Sequence, residues 1–298
     1  MTLLRTEAPV TPSAVPRPIS RAATGFDKVF VGGARGIGAT VLVITGGIGL
    51  FLAIQSVPTL RYYGLSFFTE SQWQPEANVL GISSVLLGTL TVALVALSFA
   101  FPLSLASALY ISEYAPLRVK GFLVSMVDLM AAVPSIIYGI WGFFLMTPIA
   151  SHLARFLQAY FGWFPLFHVN ADPHAAQWDE ISYTASAFIA GVAVAMMVLP
   201  FGRGGIIGGT MLGLGRALGE TIAVLLIISP SFDIKVRPLE IGTNTVSALI
   251  AGRFGEASAA QLSALLTAGL VLFIITLIIN TLAAMIVARS RSGAGTDI

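Results

Sequence analysis

Six apolar stretches, at 37–57, 80–111, 122–148, 183–199, 204–229 and 262–288, are separated by shorter segments that hold most of the charge. A helix rises about 1.5 Å per residue and the hydrocarbon layer is about 30 Å thick, so about 20 apolar residues suffice to cross it. The pattern therefore predicts an all-α, polytopic membrane protein with about six transmembrane helices. The second stretch is over-long and contains Pro102, which predicts a kink. The fourth is the shortest and lies at the low end of what can span.

The two ends read differently. Residues 1–35 combine Pro9, Pro12, Pro16 and Pro18 with Arg5, Arg17, Arg21, Lys28 and Arg35, a composition that cannot build a core. They are expected to form a disordered, basic, proline-rich tail, with a membrane domain over 36–288 and a second tail over 289–298. The first charges are not followed closely by an apolar core of signal-peptide length, so the tail is not read as a cleavable signal.

Composition supports lipid as the solvent. Hydrophobic residues make up 56% of the 298 and charged residues only 10%, against about a quarter charged in soluble domains. The net charge of +2 does not point to nucleic acid, because the basic residues form no stripe interleaved with aromatics. The chain has no cysteine, which excludes disulfides, thiolate catalysis and cysteine-based metal sites. With the N-terminus inside, ten basic residues fall in cytoplasmic segments (five in the tail, then Arg118, Lys120, Arg203, Arg289 and Arg291) and five in external ones (Arg61, Arg155, Lys235, Arg237 and Arg253). The bias places both termini in the cytoplasm.

The external segment 149–182 clusters Phe156, Tyr160, Phe161, Trp163 and Phe164, residues that favour the headgroup layer. All three histidines also fall there. His168, Asp172 and His174 match no zinc-ligand spacing, and no metal is assigned to them.

Candidate chemistry sits in the fifth stretch, where GLGRALGET (213–221) carries Arg216 and Glu220. On a continuous helix entering near Gly205 they lie about 16 and 22 Å along it, close to mid-membrane. Facing lipid, each would cost about 2.5–3.5 kcal/mol. Residues four apart share a face, but Arg before Glu is the weaker order, and such a pair yields only about 0.3–0.5 kcal/mol. Stability is a poor explanation for both charges. The functional reading is that Arg216 faces a polar path used by an anion, while Glu220 holds the guanidinium until the substrate competes for it. The planar fork of arginine can donate two parallel hydrogen bonds to a tetrahedral oxyanion.

The glycines around this pair lack the strand and following helix of a dinucleotide loop. Their four-residue spacing, at Gly204/Gly208, Gly205/Gly209, Gly209/Gly213 and Gly215/Gly219, is read as close helix packing. Asp128, Pro134 and Ser135 form a second break in apolarity. Asp128 is either interfacial or part of a gate. Pro134 predicts a kink that can act as a hinge, with Ser135 satisfying freed backbone groups.

Three stretches, ALYISEYAP (108–116), MAAVPSIIYGIWG (130–142) and VLPFGRGGIIGGTMLGLGRALGETIAVL (198–225), together resemble the permease subunits of bacterial ABC importers for inorganic phosphate. The resemblance runs from about residue 35 to 288 and is closer to the C-type than to the A-type permease. It implies a type I importer permease fold in the bacterial inner membrane. It also implies a second permease subunit as partner, two ATPase subunits docked from the cytoplasm and a periplasmic phosphate-binding protein. Arg216 and Glu220 match the charged pair that the family places in its translocation path. No catalytic residue or cofactor is expected, since ATP hydrolysis belongs to the partner ATPase. A permease for sulfate or molybdate is the alternative within the same class.

One departure stands out. Permeases of this type carry a cytoplasmic coupling loop between these fourth and fifth helices, opening with an acidic-Ala-Ala pattern. Here AMMVLP runs directly into FGRGGIIGG, with no Glu-Ala-Ala segment nearby. An in-frame deletion between two Leu-Pro copies would leave this junction. It would leave ATPase docking to the small 112–121 loop, and a coupling-deficient, non-transporting variant is a further alternative.

Overall fold

The computed structural model describes residues 25–200 and 206–291, and the side chains of 28–200 and 213–286. Residues 1–24, 201–205 and 292–298 lie outside it, and with them most of the expected tails and the fourth-to-fifth junction. The chain divides after Ile48 into two compact units. The first holds the described residues 25–48, which are helical, so the helix begins within the segment 1–35 assigned to the tail. Its apolar side chains are largely exposed, Val29 at 75% and Leu42 at 74%.

Helix α1 (Gly25–Tyr63) passes from the first unit into the second. There follow a short α2 (Ser66–Thr69) and one antiparallel pair, β1 (Trp73–Gln74) with β2 (Val79–Leu80), Trp73 opposite Leu80. Helix α3 (Ser83–Leu109) continues through Pro102 into a π-helical turn, Tyr110–Tyr114. Next come α4 (Leu117–Ala132) and α5 (Ser135–Trp141), and then, after a second π turn, α6 (Thr147–Phe161). The remaining helices are α7 (Ala187–Val198), α8 (Ile206–Gly219), α9 (Ile222–Ile227), α10 (Val246–Arg253) and α11 (Ala259–Arg291).

Among the described residues four helical runs are long and apolar enough to cross a bilayer: Lys28–Tyr63, Ser83–Tyr114, Ser135–Phe161 and Ala259–Ile286. Among the described residues the fourth and fifth predicted spans are not among these runs. The fourth is shorter than its apolar run, because Ser186 caps α7 by accepting from the Ile189 N–H while Tyr183 folds into the preceding turn. At about 18 Å, α7 falls short of the hydrocarbon thickness. The fifth is split between α8 and α9. The third stretch is also broken, at Val133–Pro134, and its second half runs on through α6, so the first part of the segment 149–182 read as external is helical.

Helix α7 is the centre of the second unit. It is buried on nearly all sides, as a helix apolar all round must be. Small residues of α3 (Ala93, Ala96 and Ala100) and of α7 (Ala187, Ala190 and Ala193) share its core, which lets the two backbones approach closely. A second cluster joins Phe67, Trp73, Ile82 and Val85 to Val246, Leu249 and Leu265. Near it, Ser263 of α11 donates to the Gln55 carbonyl of α1 and shares a hydrogen bond with Thr59.

The 162–186 loop is tied to α6. Gln158 donates to the carbonyls of Val169 and Ala171, each at 2.9 Å, and accepts from the Tyr183 hydroxyl. Arg155 donates to the Pro173 carbonyl and stacks over Trp178. Asp172, one of the residues weighed as a ligand, accepts instead from the His174 backbone N–H.

Candidate functional site

The charged turn of the fifth stretch is not one continuous helix. α8 ends at Gly219, Glu220 and Thr221 are non-helical, and α9 starts at Ile222. The i, i+4 geometry assumed for Arg216 and Glu220 is thereby lost. Gly219 and Thr221 are weak helix formers, and partners from within the turn and from α10 hold the break open.

The break gives each charge a favourable helix end. Arg216 lies in the last turn of α8, where unpaired carbonyls favour a cation. Glu220 precedes α9 and is buried at 8% exposure; its Oε1 accepts from the Ala223 N–H at 3.4 Å. The freed backbone groups are also met. Thr221 Oγ1 donates to the Gly219 carbonyl at 3.1 Å, and buried Ser247 of α10 donates to the Glu220 carbonyl at 2.7 Å. Such satisfaction is obligatory where water is scarce.

The Pro134 break lies close by. α5 packs on α9 so tightly that a Cβ at Gly139 would stand 2.8 Å from the Ala223 Cα, a contact only glycine allows. The Arg216 guanidinium is within electrostatic reach of the Tyr138 hydroxyl. Arg216 itself is exposed on the surface of this single chain, as are Asp128 on α4 and Pro134, while Ser135 is half-buried. Ser135 was expected to relieve the proline break. The Met130 carbonyl is met by the Tyr138 hydroxyl, which donates to it at 2.8 Å, beside a longer 3.4 Å bond from the Val133 N–H.

Of the glycines read as packing positions, Gly213 faces Val198 of α7 and Gly215 faces Asn280 of α11, whereas Gly219 has no neighbour within 4 Å. The surroundings of Gly204, Gly205, Gly208 and Gly209 lie outside the described residues.

The relatives bear on what this site serves. The chain is 34% identical to the phosphate transport system permease protein PstC of Xylella fastidiosa strain Temecula1, over 77% of this chain and 81% of that protein. It is 31% identical to PstC 2 of Mycobacterium tuberculosis strain H37Rv, over 96% and 99% of the two chains. A third relative is the probable PstC of Methanocaldococcus jannaschii, at 32% identity over 81% and 87%. The chain belongs to the PstC family of phosphate transport permeases. No protein-family model and no solved structure matches it. Like its PstC relatives it is a membrane permease and not an enzyme.

The same alignments show what this PstC-family chain lacks. The one with the M. tuberculosis protein runs over 320 positions, of which 96% of 298 residues, about 286, are filled here, leaving about 34 internal positions empty. By the same arithmetic, 262 positions against about 229 residues leave about 33 empty for the X. fastidiosa protein.

Sequence reasoning found Arg216, Glu220 and Pro134 because each violates apolar helix chemistry. It missed Tyr138, Ser247, Thr221 and Asn280. Tyr138 carries a legible signal, a hydroxyl one turn after a proline. Ser247 and Asn280 carry none, since only the fold brings α10 and α11 to the break.

Proposed function

We propose that this chain lines the path for inorganic phosphate in an ATP-driven importer, with Arg216 binding the anion in transit and Glu220 anchoring the turn that presents it. The observation that carries this reading is a pair of charges set at a helix break within an apolar permease domain, on a chain of the PstC family. Asp128, Pro134 and Ser135 belong to the gate of the same path. The chain pairs with a second permease subunit, two ATPase subunits and a periplasmic phosphate-binding protein. It sits in the inner membrane with both termini cytoplasmic, as the bias of basic residues requires. Alternating access follows: ATP-driven closure of the ATPases turns the paired permeases outward, and phosphate released by the binding protein passes Arg216.

A second reading is favoured by the 33–34 unfilled positions. Their number suits a cytoplasmic loop with a short helix, and the direct junction at Val198-Leu199-Pro200 is where such a loop is expected. On this reading the chain keeps the path but is cut off from its motor.

Labelled-phosphate uptake in cells lacking their own PstC separates the two. The chain is compared as it stands, with its loop restored from a relative, and with the loop restored plus Arg216→Ala. The restored chain is expected to import phosphate, with excess sulfate not competing, and Arg216→Ala to abolish import while membrane insertion persists. Uptake by the unrestored chain would remove the second reading. Parental uptake by the restored Arg216→Ala chain would overturn the role given to Arg216.

A further inference from the structure

The two helix breaks meet at one residue that sequence reasoning did not single out. Pro134 has no N–H, so the carbonyl of Met130, four residues back, loses the donor that a continuous helix would supply. The Tyr138 hydroxyl donates to it at 2.8 Å, where the Val133 N–H reaches only to 3.4 Å, and ties the last turn of α4 to the first turn of α5. Its neighbour Gly139 abuts the Cα of Ala223, the residue whose N–H is capped by Glu220. Tyr138 therefore stands between the broken end of α4 and the charged turn at Glu220, and is buried, at 9% exposure.

We propose that Tyr138 is a positioning residue of the anion path, whose hydroxyl, by holding the Met130 carbonyl across the Pro134 break, sets how the wall beside Arg216 opens to water. The proposal rests on the reading of Arg216 as a group on that path. Two connections hold Tyr138 and its neighbour Gly139 in place. Its hydroxyl spends its proton on Met130, and its backbone is fixed by the glycine-licensed contact of α5 on α9. A shift of α4 relative to α5 breaks the first connection, and the ring then moves with α5 alone. Without the hydroxyl, the side-chain tie from α5 to the Met130 carbonyl is lost.

The chain has no cysteine, so a single introduced thiol reports its own position. Arg216→Cys in the full-length chain, in the membranes of expressing cells, is reacted with the anionic reagent sulfonatoethyl methanethiosulfonate. His174→Cys, in the exposed loop, is the control. Tyr138→Phe is expected to change the reaction rate at position 216 by about fivefold, the effect of one hydrogen bond of ordinary net strength on an opening equilibrium. The rate at position 174 stays constant. Pro134→Ala restores an N–H that can serve Met130, so in that background Tyr138→Phe has no further effect. This non-additivity separates positioning from a general loss of packing, which adds independently.

Equal rates at position 216 with and without the hydroxyl overturn the proposal and leave the Arg216 reading intact. A full Tyr138→Phe effect that persists with Pro134→Ala also overturns it. Failure of position 216 to react with anionic, neutral or cationic reagents, while position 174 reacts, removes Arg216 from any aqueous path and takes both readings with it. Should Tyr138→Phe reduce the inserted chain, the comparison of Pro134→Ala with Pro134→Ala/Tyr138→Phe decides alone: equal rates support the proposal and unequal rates overturn it.

Discussion

Gly139 and Gly219 are both helical glycines beside the charged turn, yet an added methyl group meets opposite surroundings at the two. At Gly139 it would press on the Ala223 Cα at 2.8 Å and on a Leu226 methyl at 2.9 Å. The first is backbone and yields only if α9 moves, so Gly139→Ala is expected to destabilise by about 1–3 kcal/mol, the usual cost of overpacking. At Gly219 no atom lies within 4 Å. There alanine gains about 0.4–1 kcal/mol by restricting the unfolded chain. The thermal midpoint of the detergent-solubilised chain should fall for the first and hold or rise for the second. A parental midpoint for Gly139→Ala would mean that α5 and α9 are not in close contact. Arg216 and Glu220 were legible for a related reason, since a charge in an apolar run announces its own cost. Their surroundings were not legible, because the donors that settle Glu220 come from Ala223 and from Ser247, one local and one on another helix.

The elements show where apolarity and helix length part company. The runs behind α1, α3 and α11 could be read directly, because uninterrupted apolar sequence has one satisfactory form in lipid. The breaks at Pro134 and Glu220 were harder: proline signals a kink, but Gly-Glu-Thr inside an apolar run reads as helix until tertiary partners pay for its backbone. The 12-residue length of α7 was hidden too, because Tyr183 looks like the start of an apolar span but is drawn into a turn by Gln158. Gln158 holds the 162–186 loop through three hydrogen bonds, all removed by Gln158→Leu, and each group left unpaired costs about 1–3 kcal/mol. The loop is then expected to open locally while the helices persist. Limited chymotrypsin digestion should cleave at Phe167 or Trp178 at least about fivefold faster, corresponding to roughly 1 kcal/mol. Unchanged cleavage would show that Arg155 and its stacking on Trp178 suffice to hold the loop.

At the scale of the whole molecule, the exposed apolar side chains of residues 28–48, together with those of α5 and α11, form more hydrophobic surface than a soluble monomer carries. Lipid, or a second membrane protein, must cover it. Which way the chain then lies depends on charge, because the apolar runs are equally satisfied in either direction. Ten basic residues in one set of segments against five in the other favour the first set, including the N-terminal tail and Arg118, in the cytoplasm. In that orientation the aromatic-rich 162–186 loop would face outward. Two single-thiol chains test this. A membrane-impermeant maleimide on intact cells should label His174→Cys, at an exposed loop position, and should reach Arg118→Cys only after permeabilisation. The reverse pattern would invert the topology. It would place the 112–121 loop outside, where it could not meet an ATPase, and the proposed direction of phosphate movement past Arg216 would fail with it. Labelling of both sites on intact cells would mean that part of the population inserts each way, and that about twofold asymmetry in basic residues is too weak a signal to orient this chain.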